Sequence, residues 1–211
     1  MIKSVFNARA LIIAAGLATL LVSPAFAHHP MGGAMPETLW HGLLSGLGHP
    51  VIGFDHLAFV IGVGIFSAIA GLGLAMPAFF LVFMGAGLFV HVGGFDIPAV
   101  ELMIALSVVA VGLGCVLGQK GASAWLLGGL FAAAGLLHGY AFAEAIIGAE
   151  TGVISAYIAG LVAVQFAIAA VAFFATRGVL AADVQPSRWA PRVAGAAVLM
   201  AGAYFAMGAV A

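Results

Sequence analysis

Six long apolar runs separated by short polar connections dominate the chain. They cover Val51–Ala70, Gly73–Val92, Ile97–Leu117, Ser123–Ile147, Gly152–Thr176 and Ala190–Ala209. Each reaches the ~20 residues that a helix needs to cross ~30 Å of hydrocarbon. The runs are continuous rather than alternating, which excludes a membrane-spanning β-barrel. The pattern predicts an all-α membrane protein with six transmembrane helices. A shorter run, Ala10–Val22, follows Lys3 and Arg9 and precedes Ala25-Phe26-Ala27. A basic start, a short apolar centre and an A-x-A site describe a secretory signal peptide over residues 1–27. Residues 28–211 would then form a single six-helix transmembrane domain that starts at His28-His29. An uncleaved anchor helix is the alternative, and it leaves His28 on the same side of the membrane.

Charge fixes the orientation. Only 6% of the 211 residues are charged, against about a quarter in a soluble domain. Lys120, Arg177, Arg188 and Arg192 are all the Lys and Arg after residue 27, and they fall in two connections on one side. Glu37, Asp96 and Glu150 lie on the other. Basic loops stay cytoplasmic, so the chain is expected in a bacterial cytoplasmic (inner) membrane. Both ends of the mature chain would face the periplasmic or extracellular side. A formal net charge of −1 without a basic run argues against nucleic acid as a partner. One cysteine, Cys115, excludes an internal disulfide framework or a Cys-based zinc cluster. Neither a P-loop nor an HExxH motif is present, and Ser123 lies far from any histidine. No nucleotide-driven or hydrolytic activity is expected, and no organic cofactor. Small-xxx-small spacings such as Gly42-xxx-Gly46 and Gly114-xxx-Gly118 predict closely packed helices. The last two spans, nearly all Ala, Val, Gly and Phe with Gln165 as the main polar exception, read as scaffold or as contact in a homo-oligomer.

The few polar residues inside the spans carry the chemistry. Asp55, His56, His91, Glu101, His138 and Glu144 lie there, with His49 at the outer mouth of the first span. All fall in the outer half or near the middle. A charge at the bilayer centre costs about 2.5–3.5 kcal/mol on insertion scales, and no Lys or Arg accompanies the three acids. Imidazoles and carboxylates gathered without basic residues suit a borderline divalent metal ion. His49 and His56, seven residues apart, fall on one helix face two turns from each other. Pro50 suits the first position of that helix, and Asp55 could ligate or hold a ring. His138 and Glu144 repeat the spacing of His49 and Asp55 in the fourth span. That repetition allows a 3+3 inverted repeat. A histidine such as His91 bonded to a neighbouring backbone carbonyl is the competing structural reading, as is a protonated acid tying helices for Glu101 or Glu144.

At these residues the chain resembles the HupE/UreJ family of small bacterial membrane proteins. The resemblance covers essentially all of residues 28–211. It rests on His28, on the first-span motif HPxxGxDH (His49, Pro50, Gly53, Asp55, His56), on Pro98-Ala99-Val100-Glu101 with Ser107, and on His138-Gly139 with Glu144. One departure is Phe142, where some relatives carry a second histidine. The family resemblance implies nickel supply, with hydrogenase or urease maturation as the indirect beneficiary. The expectation is therefore a secondary permease with Ni²⁺ as its substrate and Co²⁺ next. Its metal residues would be His28, His49, Asp55, His56, His91, Glu101, His138 and Glu144. Binding should weaken on acidification, because ligands must be deprotonated. The alternatives are a cobalt or copper permease, or a haem-binding electron carrier with paired histidines.

Overall fold

The structure, a computed structural model, describes residues 34–118, 123–182 and 185–210. The expected signal peptide, its cleavage point, His28 and Lys120 lie outside these residues. The described chain contains helices and no strand. In order these are α1 (Leu39–Ile52), α2 (Phe54–Ala70), α3 (Ala75–Val92), α4 (Val100–Leu117), α5 (Ala124–Ala143), α6 (Thr151–Ala181) and α7 (Gln185–Val210). A 3₁₀ turn, Glu144–Ile146, extends α5. Helices α3 to α7 are each long and apolar enough to cross a membrane. Helices α1 and α2 pass that test only as a pair, bent by 79° at their junction. Counting the pair as one gives the six expected spans.

The first span differs from its sequence reading. It does not begin at Val51 with Pro50 in the first helical position. Helix α1 begins twelve residues earlier, where the Thr38 hydroxyl caps it by accepting the His41 N–H at 3.1 Å. Pro50 falls in its last turn. Proline has no N–H for the carbonyl four residues back and crowds that carbonyl, which weakens the turn. The chain leaves the helix at Gly53 (φ −74°, ψ 95°) and α2 starts at once in a new direction. Gly53 is needed there for space, since a Cβ would lie 2.8 Å from the His56 ring. Residues 39–50 precede the six expected runs, and with α2 they pass as one bent apolar pair.

Small residues let the helices meet backbone to backbone. Gly42 and Gly46 of α1 lie against Val153 and Tyr157 of α6, and Gly160 of α6 lies against Leu43. Farther along, Gly64 of α2 meets Ala169 and Ala172 of the same helix. The broken span and α6 thus run side by side in the same direction. Helices α3 and α5 are also parallel, with Phe80 against Gly135, Met84 against Gly139 and the His91 ring on Tyr140. Helices α4 and α7 are antiparallel, with Cys115 at Gly195, Leu199 at Gly112 and Val108 at Gly202. These directions fit a chain that reverses at every span.

A Cβ on Gly46 would collide with the Tyr157 carbonyl oxygen. Gly46→Ala should therefore force α1 away from α6 at a cost on the order of 1–3 kcal/mol. The thermal midpoint of the detergent-solubilised protein checks this, and an unchanged midpoint would contradict so close an approach.

Candidate metal-ion site at the helix break

Breaking the helix changes which residues meet. On a continuous helix, residues seven apart would sit two turns apart, about 10.5 Å along the axis. Across the break, the His49 and His56 rings have centroids 6.1 Å apart and lie nearly perpendicular. Both residues are fully buried, and Asp55 is almost so. Helix α1 begins at Leu39, so His49 lies in its last turn, directly before the break, rather than ahead of the first helix. Asp55 stands in the first turn of α2, where its Oδ1 accepts the His56 backbone N–H at 2.8 Å. That places a carboxylate at a helix start whose partial charge is positive.

The hydrogen bonds around the rings determine where each proton sits. Tyr157 donates to the Phe142 carbonyl at 2.9 Å. A carbonyl can only accept, so the tyrosine proton is committed there. The His49 Nδ1, 2.7 Å from the same hydroxyl, must then carry a proton and donate it. By the same reasoning Ser107 donates to the Ile104 carbonyl at 2.6 Å, so the His138 Nε2 donates to Ser107 Oγ at 2.9 Å. His138 consequently has its lone pair on Nδ1. The His56 Nδ1, 2.8 Å away, donates to it. His49 and His56 both end as Nδ1–H tautomers with the lone pair on Nε2. An imidazole whose other nitrogen donates to a fixed oxygen or nitrogen is oriented as metal-binding histidines are.

His138 differs from these two. It is fully buried and both of its ring nitrogens are engaged by the protein, so here it holds His56 in place. Phe142, at the position of the departure noted in the sequence, packs on both site rings, with centroids 5.0 Å from His49 and 4.2 Å from His56. Phe59 and Phe80 pack on His138.

The remaining expected ligands lie elsewhere. His91 is half-buried, stacked on Tyr140 at 3.8 Å, and donates its Nδ1–H to the Tyr140 carbonyl at 2.7 Å. The Tyr140 hydroxyl in turn bonds Asp96 and the Ile97 N–H. This second polar cluster joins α3 to α5 and is separate from the His49–His56–His138 group. Glu101 and Glu144 are exposed, so the expectation of three buried acids holds only for Asp55. Helical rotation explains both. Glu101 precedes Ser107 by six residues and Glu144 follows His138 by six, which leaves each about 120° around the helix from the site-facing residue. The matching His49–Asp55 spacing spans the helix break, whereas His138–Glu144 stays on one continuous helix and its 3₁₀ extension.

Two contributors were not read from the sequence. Ser107 is not among the expected metal residues, and Tyr157 sits in a span that reads as scaffold. A tyrosine inside an otherwise Ala-, Val- and Ile-rich span was the available signal, since a buried hydroxyl needs a partner. Among the described residues, no three His, Cys, Asp or Glu side chains form a ready metal-holding group.

The family model "HupE / UreJ protein" matches residues 16–205. The chain belongs to the HupE/UreJ family. Over 75 residues it is 37% identical to Protein HupE of Rhizobium leguminosarum bv. viciae. That match covers 34% of this chain and spans 39% of the relative's length. No solved structure matches the chain.

Tyr157→Phe removes the acceptor for the His49 Nδ1–H, at a cost of about 1–3 kcal/mol for the buried donor left behind. Ring-nitrogen NMR shifts should show one tautomer for His49 in the parent and a mixture in the variant. A single unchanged tautomer would remove Tyr157 from this role.

Proposed function

We propose that this protein is a secondary permease for a divalent transition-metal ion, with nickel as the first candidate and cobalt as the second. The observation that carries this reading is the pair of buried imidazoles, His49 and His56, on either side of a helix break. Each is held through Nδ1–H so that Nε2 carries the lone pair. Asp55 stands beside them as the one buried carboxylate among the described residues. Family membership supports the same reading through the nickel association that the resemblance implies. Hydrogenase or urease maturation would be served indirectly. Borderline first-row ions accept nitrogen and oxygen donors together. Two imidazoles and one carboxylate, with water completing the shell, would suit cargo that must leave again. Metal held in a purely structural role calls for a closed set of protein ligands.

Discontinuous helices recur at the ion sites of secondary transporters, where irregular backbone lines a buried position. Exchanging the first three spans with the last three maps the contact between spans one and five onto that between spans four and two, and the contact between three and six onto itself. All three contacts are present, which supports the 3+3 inverted repeat. In the proposed orientation the protein sits in a bacterial inner membrane with the His49 end facing out and the Arg177 end facing the cytoplasm. His28, His91, Glu101 and Glu144 are assigned to capture and approach, His49, Asp55 and His56 to binding, and His138 to holding His56. Phe142 packed on both site rings leaves no slab for a haem between them.

Cells expressing the parent should take up radioactive nickel. His56→Ala and Asp55→Ala should each lower the initial rate by at least about tenfold, within the range seen when metal-site residues are lost. Undiminished uptake in both variants, at equal membrane abundance, would sink this assignment.

A further inference from the structure

An ion that reaches His56 still has to cross the rest of the bundle, where ionisable side chains give out. Beyond His56 along α2 and beyond Tyr157 along α6, two polar side chains are fully buried: Gln165 on α6 and Ser67 on α2. The Gln165 amide donates from Nε2 to the Leu161 carbonyl at 3.3 Å and to Met84 Sδ at 2.8 Å. The carbonyl can only accept, which fixes which way the amide points. Gln165 Oε1 and Ser67 Oγ then have no hydrogen-bond partner among the described residues. A buried polar atom in that state costs about 1–3 kcal/mol. Leucine and alanine would fill these positions at no such cost.

Their placement is ordered. Gln165 lies two turns beyond Tyr157 on α6, about 12 Å deeper along the axis. Ser67 lies three turns beyond His56 on α2, about 16 Å along. Between them Gly64 of α2 is pressed against Ala169 and Ala172 of α6. Gln165 is one turn before that contact and Ser67 about one turn after it. The same two helices carry His56 and the tyrosine that holds His49. Other directions offer less. The cleft of about 630 Å³ beside α4 and α5 reaches Ser107 but is otherwise walled by side chains such as Phe59, Phe66, Leu127 and Phe131. The Cys115 thiol faces the Gly62 carbonyl at 3.5 Å.

We infer that Gln165 Oε1 on α6 and Ser67 Oγ on α2 are successive transit positions for the divalent cation, on either side of the contact between those two helices. This rests on the permease reading above. An amide oxygen and a hydroxyl are neutral donors that hold such an ion more weakly than imidazole and carboxylate. The order therefore runs from capture to release. The Gly64–Ala169–Ala172 contact closes the interface between the two positions, and its small residues allow the backbones to meet and part there.

The test uses the full chain in proteoliposomes for the rate of radioactive nickel entry, and the purified protein for equilibrium nickel binding. Gln165→Leu keeps the volume and removes the donor. It should slow entry by about tenfold or more, with equilibrium affinity within about twofold of the parent. Gln165→Glu places a carboxylate at the transit position and should bind nickel more tightly while transporting it more slowly. A residue that only packs the helices would not raise affinity. Parent-like transport in both variants, or no tighter binding by Gln165→Glu, overturns the inference while the permease reading stands. A parent protein that carries no nickel removes both.

Discussion

The broken first span is the constraint on which the rest of the structure depends. Hydrocarbon supplies no hydrogen bonds, so non-helical backbone at membrane depth survives only when protein surrounds it. Pro50 and Gly53 create such backbone, and the fold encloses it. Helix α6 covers α1 through Gly42, Gly46 and Gly160, and Phe142 of α5 seals the inner side of the bend. What the break gains is convergence. The His49 and His56 rings, which a straight helix would set about 10.5 Å apart along its axis, come to 6.1 Å between centroids.

Around that point a layer of residues with no metal-binding role of their own governs the site. Tyr157 and Ser107 spend their protons on backbone carbonyls, and those two commitments fix the tautomers of three histidines. The chain from Ile104 through Ser107 and His138 to His56 spans three helices. A shift of α4 or α5 would thus be felt as a loss of orientation at His56. Coupling of this sort links helix packing to ligand readiness without any charged residue. That is the form available in an interior where charge is costly.

The HPxxGxDH motif was legible because each of its residues is chemically distinctive in an apolar setting. His138 was legible for the same reason, but not its role. A histidine at depth reads as a ligand until the atoms on both of its nitrogens are known. The six-residue spacing shared by His138–Glu144 and His49–Asp55 does not make the two elements equivalent, because one lies on a continuous helix and the other across a break. Glu101 and Glu144 turn outward accordingly, and the buried acid count falls to Asp55 alone.

By itself the sequence determined the membrane class, five or six apolar spans, the family and the residues at the break, since hydropathy, helix length and local motifs are properties of neighbours along the chain. The tertiary structure alone decided the 79° bend, the outward turn of two glutamates, and the tautomers set by Tyr157 and Ser107. His49 and its tyrosine are 108 residues apart, and His56 and His138 are 82 apart. Which atom faces which ring nitrogen depends on the rotation of one packed helix against another. That rotation is fixed by close contacts at glycines such as Gly46 and Gly139, and no pattern within a single span encodes it.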